Sequence, residues 1–157
     1  MAKKEKESKN PIISTNKNAT RNYHLMERIE AGLVLTGTEI KSIRSGTCHI
    51  NDAYAIVTGT EIFLMLMHIA PYSHGNRYNH EPLRRRKLLL HRQEINKLIG
   101  AIVEKGLTLV PTKLYWLKGR VKVELALAKG KNVGDKRDDI KRRDAQREMD
   151  VARKRNK

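Results

Sequence analysis

The hydrophobic rhythm changes several times along this chain. Residues 1–15 are polar and charged apart from Pro11 and the pair Ile12-Ile13, a composition that predicts a disordered N-terminal segment. From Tyr23 onward, apolar Tyr23, Leu25 and Ile29 recur with the period of a first strand, and Leu33-Val34-Leu35 is a short buried run. Thr38 reads as a helix N-cap, with Ile40 and Ile43 on one face and Gly46 as the stop. Residues 52–58 and 61–69 read as two strands joined by the tight turn Gly59-Thr60, with Pro71 ending the second.

A polar loop follows over 71–82, then the basic run Arg84-Arg85-Arg86-Lys87 and Leu88-Leu89-Leu90. Ile95, Leu98, Ile99, Ile102 and Val103 form one apolar stripe at helical spacing, closed by Gly106. Residues 107–117 read as a strand in which Pro111 demands an edge or a bulge. Lys118-Gly119 turns the chain into a last strand, where Val121, Val123, Leu125 and Leu127 alternate with Lys122, Glu124 and two alanines. One face of that strand meets the core and the other meets water or a ligand. The pattern predicts a mainly β fold: a small closed or partly closed barrel with two packed helices, of which the oligonucleotide-binding barrel is one member. The body spans 16–130.

Residues 131–157 carry no core pattern. They have good helix formers and pairs such as Asp139–Arg143, with Asp144–Glu148 unfavourable. A free helix of this kind is marginal in water, so the tail is expected to be disordered alone and helical against a partner.

Charge then narrows the class of function. The chain has 33 Lys and Arg against 17 Asp and Glu, a formal net charge of +16. Residues 129–157 alone hold 12 basic and 6 acidic side chains. Neutralising polyanion phosphates relieves such self-repulsion, which points to nucleic acid. A membrane-surface helix needs a strong apolar face, and the tail offers only Ile140, Met149 and a few alanines. No apolar run is long enough to span a bilayer, no secretory signal is evident, and the lone Cys48 suits a reducing cytoplasm.

Enzyme chemistry finds little support. His74 and His80 share a loop, but no ligand spacing completes a metal site, and neither a serine nucleophile turn nor a phosphate-cradling glycine loop is present. Catalysis, metals and cofactors are therefore not expected. Arg84 to Lys87 is the densest basic cluster, beside a loop with two tyrosines, two histidines and two asparagines. Such side chains stack on bases and bond to their edges, which favours an RNA surface over a merely solvated run. Lys122 is equally a solubilising charge or a phosphate contact. Glu30 accepts from a base edge or pairs with a neighbouring arginine.

Four separated stretches carry a resemblance: EAGLVLTGTEIKSIRSG at 30–46, HGNRYNHEPLRRRKLLL at 74–90, KVELALAKGK at 122–131 and DKRDDIKRRD at 135–144. In this order they resemble the SmpB family, the SsrA-binding proteins of bacteria, from about Asn16 to the C-terminus. The resemblance implies an oligonucleotide-binding-like barrel and a non-enzymatic adaptor of trans-translation. It would act as a monomer in the cytoplasm, binding the tRNA-like domain of transfer-messenger RNA and accompanying it to stalled ribosomes. The tail would lie in the empty mRNA channel of the small subunit, against ribosomal RNA. Carried over by position, the RNA-surface residues are Asn16, Glu30, Leu89 and Lys122, joined by Arg84, Arg86 and Lys87 of the basic cluster. The tail set is Lys131, Asp135, Lys136, Arg137, Lys141, Arg142 and Arg143. Gly134 stands where relatives often have His or Tyr, Asn18 where a basic residue is usual, and Arg21 where His is usual.

Overall fold

A computed structural model describes residues 11–156. Its elements are β1 (Ile12–Thr15), α1 (Lys17–Asn22), β2 (Tyr23–Leu33), α2 (Gly37–Arg44), β3 (Cys48–His49), β4 (Tyr54–Thr58), β5 (Glu61–Met65) and β6 (His68–Ile69). They continue with β7 (Arg86–Leu89), α3 (Arg92–Lys105), β8 (Thr108–Leu117), β9 (Arg120–Gly130) and α4 (Val133–Arg155). The large sheet runs β1-β8-β4-β5-β7-β2-β9, and β9 pairs again with β8. That extra pairing closes β8, β4, β5, β7, β2 and β9 into an antiparallel barrel, with β1 appended to β8. Closure removes the exposed edges that an open sheet would present.

The barrel interior is filled by one apolar cluster. Val121, Val123, Leu125 and Leu127 of β9 point into it, as their alternation predicts, with Ala31, Ile62, Leu64, Leu88, Leu109 and Leu114 from the facing strands. Ile43 of α2 and Ile95 and Leu98 of α3 pack on the same cluster. Val103, assigned to the α3 stripe by spacing, is 76% exposed. Its neighbours Ala101 and Ile102 still pack on the core, so Val103 falls at the outer margin of the stripe. Lys118 and Gly119 both take positive φ, 49° and 75°, so the β8–β9 hairpin has a two-residue turn with the hand that matches strand twist.

Three local departures from the sequence reading have physical causes. The N-terminal segment expected to be disordered lies largely in residues 1–10, outside the described residues. Within it, Ile12–Thr15 form a strand on β8. Ile13 packs on the core, and the Trp116 amide donates to the Pro11 carbonyl at 2.9 Å. α2 begins two residues earlier than expected, with Thr36 instead of Thr38 at the N-cap position and no side-chain capping hydrogen bond. Alternation in β2 is broken by a bulge between Leu25 and Arg28. The extra residue flips the strand, so Tyr23 and Leu25 pack outside the barrel with Ala19, Val110 and Ala128, while Ile29 and Ala31 point inward. Pro111 likewise sits at a bulge, between Pro111 and Lys113.

The tail, residues 131–157, is helical over most of its length. It forms one helix, α4, with no buried residue. Its start is over-determined by a reciprocal capping box between Asn132 and Asp135. The pairs Asp139–Arg142 and Gln146–Asp150 brace it further, at 3.1 Å each. The sequence spacing favoured Asp139–Arg143; the structure uses Arg142, one position nearer.

A buried ion cluster joins the pieces. Glu39 of α2 and Arg86 of β7 are both 0% exposed. Arg86 donates to Glu39 Oε2 at 3.2 Å, to the Met67 carbonyl at 2.5 Å and to the Pro82 carbonyl at 3.2 Å. Arg84 donates to Glu39 Oε1 at 2.8 Å. Burial pushes the Glu39 carboxyl up, but the Arg84 hydrogen bond and the charges of Arg86 and Arg84 outweigh it and hold the group below its ordinary 4.5. A carboxylate with a depressed folded pKa contributes stability above its unfolded value, and that contribution is lost as pH falls through the folded one. Glu39→Gln should therefore cost about 3–5 kcal/mol at neutral pH, because it strands a buried guanidinium. Urea unfolding across pH checks this: the gap between wild type and variant should narrow below 4.5, and a gap constant down to about pH 3 would contradict it.

Candidate nucleic-acid interface

The outward side of the barrel wall is covered at one end and open at the other. α1 lies over Val110 and Ala128, where the small side chain of the outward-facing alanine leaves room for it. Beyond α1 the same face is bare. In one row across four strands stand Leu89 of β7, Gly32 of β2, Lys122 of β9 and Tyr115 of β8, linked by the pairs Gly32–Leu89, Gly32–Lys122 and Tyr115–Lys122. In the next row Glu30, Glu124 and Lys113 are neighbours. Leu89 is 52% exposed. A Cβ at position 32 would lie 3.2 Å from Leu89 Cβ and 3.6 Å from Lys122 Nζ, so Gly32 lets these two side chains come together.

Glu30, Leu89 and Lys122, three of the residues singled out in the sequence, are thus brought onto one open patch. Tyr115, buried against the wall, donates its hydroxyl to Glu30 Oε2. Burial, that hydrogen bond and the nearby carboxylate charges all push the Tyr115 phenol up from its ordinary value, keeping it a proton donor. Glu124 is neutralised locally: it accepts from Thr112 at 2.7 Å and Arg28 at 3.0 Å, and Lys113 stands 3.5 Å away. Burial raises its carboxyl, but these donors and charges prevail and hold it below the usual range.

Asn16 does not join the patch. It is 5% exposed and caps α1, accepting from the Ala19 amide at 3.1 Å and donating to the Pro111 carbonyl at 2.9 Å. Its side chain is committed inside the protein, so any influence on a ligand passes through α1 and the β8 bulge. Arg86 is likewise corrected: a guanidinium with no exposed surface, bound to Glu39 and two carbonyls, cannot reach a ligand. Arg84 is half-buried and tied to Glu39. Lys87 is exposed on the same side of β7 as Leu89 and pairs with Glu61 at 2.8 Å. In the densest basic run, then, alternate residues point into and out of the barrel, and sequence density overstated its free charge.

The 71–82 loop is also partly internal. Asn79 closes it, accepting from the Tyr72 amide at 3.0 Å and donating to the Tyr72 carbonyl at 2.7 Å. His80 Nε2 bonds the Ile69 carbonyl at 2.9 Å and Nδ1 bonds Thr38 at 2.9 Å, so both ring nitrogens are occupied. His74, Arg77 and Tyr78 remain exposed, with the Arg77 guanidinium 5.1 Å from the Tyr78 ring centre.

At the root of the tail, Lys131 is 8% exposed in its side chain. It donates to the Thr20 carbonyl at 2.9 Å and pairs with Asp139, while its amide donates to Asn22. Asp135 caps α4 and meets His24 at 3.3 Å. Lys131, Asp135 and Asp139 therefore hold the first turns of the tail to α1 and β2. Lys136 is half-buried there, whereas Arg137, Lys141, Arg142 and Arg143 are exposed. Sequence reasoning missed Tyr115 and Gly32, which only cross-strand register reveals as neighbours of Glu30 and Lys122.

A closed antiparallel barrel with helical caps, one open wall of mixed polar and apolar groups and a cationic helical arm defines a small nucleic-acid-binding protein of the oligonucleotide-barrel kind. The family of SmpB proteins matches residues 13–155, and the chain belongs to that family. It is 60% identical over 141 residues to the SsrA-binding protein of Geobacillus kaustophilus, covering 90% of this chain and 91% of that one. Its identity to the SsrA-binding protein of Acetivibrio thermocellus is 53% over 156 residues, 99% of each. A solved chain described under "tmRNA-SmpB: a journey to the center of the bacterial ribosome" superposes with a TM-score of 0.64 at 41% identity, covering 80% of this chain and 92% of that one.

The assignment of Asn16 as a cap is measurable. Asn16→Ala should lower stability by about 1–2 kcal/mol. Chemical denaturation checks it. Asn16→Asp keeps the acceptor for Ala19 but sets a buried carboxylate oxygen against the Pro111 carbonyl, so it should be destabilising as well.

Proposed function

We propose that this protein is an RNA-binding adaptor of trans-translation, with no catalytic step of its own. Its body, residues 16–130, binds the tRNA-like domain of transfer-messenger RNA. Its tail, residues 131–157, engages small-subunit ribosomal RNA along an empty mRNA channel in the cytoplasm. The observation that carries this reading is the open wall on which Glu30, Leu89 and Lys122 converge, on a chain of net charge +16. The names of its relatives, SsrA-binding proteins, agree with it. Folded RNA is read by shape, by stacking and by contacts to phosphate and ribose, and a rigid barrel wall suits that mode. No helix among the described residues is long and apolar enough to cross a membrane.

Within the tail, the exposed side of α4 presents Arg137, Lys141 and Arg143 to phosphates, while Lys131, Asp135 and Asp139 set its direction from the body. Asp135 and Lys131 thus act as positioning residues at the root, and the cations further along make the contacts. Arg142, spanning both roles, pairs with Asp139 at 3.1 Å and stays 78% exposed.

Binding of the full chain to the tRNA-like domain, against an elongator tRNA over a salt series, tests the proposal. Preference for the tRNA-like domain that survives high salt supports it; equal affinities that collapse together as salt rises would make the protein a general RNA binder. Truncation after Gly130 should retain this binding and abolish peptide tagging in a reconstituted translation system, and simultaneous loss of both would refute the division of labour. Lys122→Ala should reduce the slope of log affinity against log salt by about 0.7–0.9, the value of one phosphate contact. An unchanged slope would leave Lys122 a bystander.

A further inference from the structure

The 71–82 loop, between β6 and β7, presents a second group of aromatic and cationic side chains, and it sits on α2 instead of the barrel wall. Its frame is closed from within. Asn79 accepts from the Tyr72 amide and donates to the Tyr72 carbonyl, which pins the two arms of the loop together. The Gly75 amide donates to the Tyr72 carbonyl at 3.0 Å and the Tyr78 amide to the Gly75 carbonyl at 3.1 Å, so the tip is a single turn over Asn76–Tyr78. A Cβ at position 75 would lie 2.8 Å from Asn79 Nδ2, so this closure needs glycine. The outgoing arm is fixed twice more, by His80 on Thr38 and the Ile69 carbonyl and by Arg86 on the Pro82 carbonyl.

A loop whose polar groups are bonded internally holds in place what it displays. The tip displays Tyr78, which is 77% exposed and belongs to neither core cluster. The Arg77 guanidinium lies 5.1 Å from its ring centre and donates to its hydroxyl at 3.2 Å. With Arg77 over one face and most of the residue in water, the other face is open. Lys41 of α2 stands 5.4 Å from the Tyr72 ring centre, and His74 meets the same ring edge-on at 5.5 Å. Among the described residues neither Lys41 nor Arg77 has a carboxylate within ion-pair reach. Arg84, Arg86 and Lys87, a few positions on, are all paired. The free cations of this region therefore belong to the loop and to α2, and not to the densest basic run.

We propose that the loop tip is a second RNA-binding site, outside the wall, which takes one unpaired nucleotide. Its base stacks on the open face of Tyr78, Arg77 meets its phosphate, and Lys41 extends the cationic surface along the strand. This inference rests on the RNA-binding function proposed above and adds a site to it. Every base has a π-face, so one fixed ring with an open face captures an unpaired base without reading its edge. A guanidinium at that ring adds a charge-assisted phosphate contact and a cation–π contribution. A protein-docking surface would surround an exposed ring with further apolar area. Here the exposed neighbours of Tyr78 in the turn are Ser73, His74 and Arg77.

The nucleotide comes either from the tRNA-like domain or from ribosomal RNA, and two titrations separate these sources. Full-length wild type, Tyr78→Ala, Tyr78→Leu, Tyr78→Phe and Tyr78→Trp are titrated against the tRNA-like domain and, separately, against small ribosomal subunits. Tyr78 lies outside the core, so these variants fold. For one of the two targets, affinity should fall about tenfold in Tyr78→Ala and Tyr78→Leu and stay close to wild type in Tyr78→Phe and Tyr78→Trp, because stacking requires an aromatic ring. Loss against the tRNA-like domain assigns the nucleotide to that RNA, and loss against the subunits assigns it to ribosomal RNA. Arg77→Ala should lower the salt slope for the same target by about 0.7, one single-strand phosphate contact. Unchanged affinity of Tyr78→Ala for both targets would overturn the site. So would full affinity in Tyr78→Leu where Tyr78→Ala is weakened, since that shows an apolar contact and not a stack. If wild type prefers the tRNA-like domain over elongator tRNA in either case, the adaptor function stands and only this site falls. If that preference is absent, the adaptor function fails, and the Tyr78 series still decides whether the loop binds RNA.

Discussion

The Glu39–Arg86 pair is the constraint on which the rest of the molecule depends. Both side chains are fully buried, and a charge taken out of water is tolerated only when it is paired and its remaining donors are satisfied. Arg86 meets that demand by binding three separate pieces of chain: α2 through Glu39, the bend after β5 through the Met67 carbonyl, and the loop before β7 through the Pro82 carbonyl. The bend itself is strained, since Leu66 takes a φ of 56° without being glycine, and such a conformation persists only where its surroundings over-determine it. With α2 and β7 locked together, β7 delivers Leu88 inward and Leu89 outward. The position of Leu89 beside Gly32 is therefore a consequence of an ion pair inside the barrel.

The same alternation explains the electrostatics. A net charge of +16 attracts polyanions to the whole chain, but attraction alone selects nothing. Selection needs fixed groups, and the open wall provides them by different means. Tyr115 fixes Glu30 from a buried ring, Gly32 lets Lys122 approach Leu89, and Arg28 with Lys113 removes the competing charge of Glu124. The tail follows a similar logic at its root, where Lys131 spends its charge on Asp139 and the Thr20 carbonyl and leaves the cations further along α4 exposed.

Periodicity in the sequence was informative wherever one side of an element faces the core. The β9 alternation and the two tight turns follow from local rules that survive folding: side chains alternate on strands, and positive φ falls at Lys118-Gly119. The α3 stripe held for Ile95, Leu98, Ile99 and Ile102, while Val103, at its outer margin, is exposed. Alternation misled in β2, because one bulge exchanged its inner and outer faces at Leu25. Polar density misled at Arg84 to Lys87, at Asn16 and at Asn79, where the structure turns side chains inward to caps and carbonyls.

By itself, the sequence determined a mainly β chain with its approximate strands, its single long body helix, its basic arm and, through four ordered motifs, its family. Those properties are local or compositional, so no knowledge of contacts is needed to read them. Tertiary structure alone decided which polar residues are spent on holding the fold and which remain free to bind. Asn16 and Arg86 fall on one side of that line, Glu30 and Lys122 on the other. The physical reason is that burial and cross-strand register join residues tens of positions apart, such as Glu39 with Arg86 and Glu30 with Tyr115, and no short-range pattern along the chain records which partners will meet.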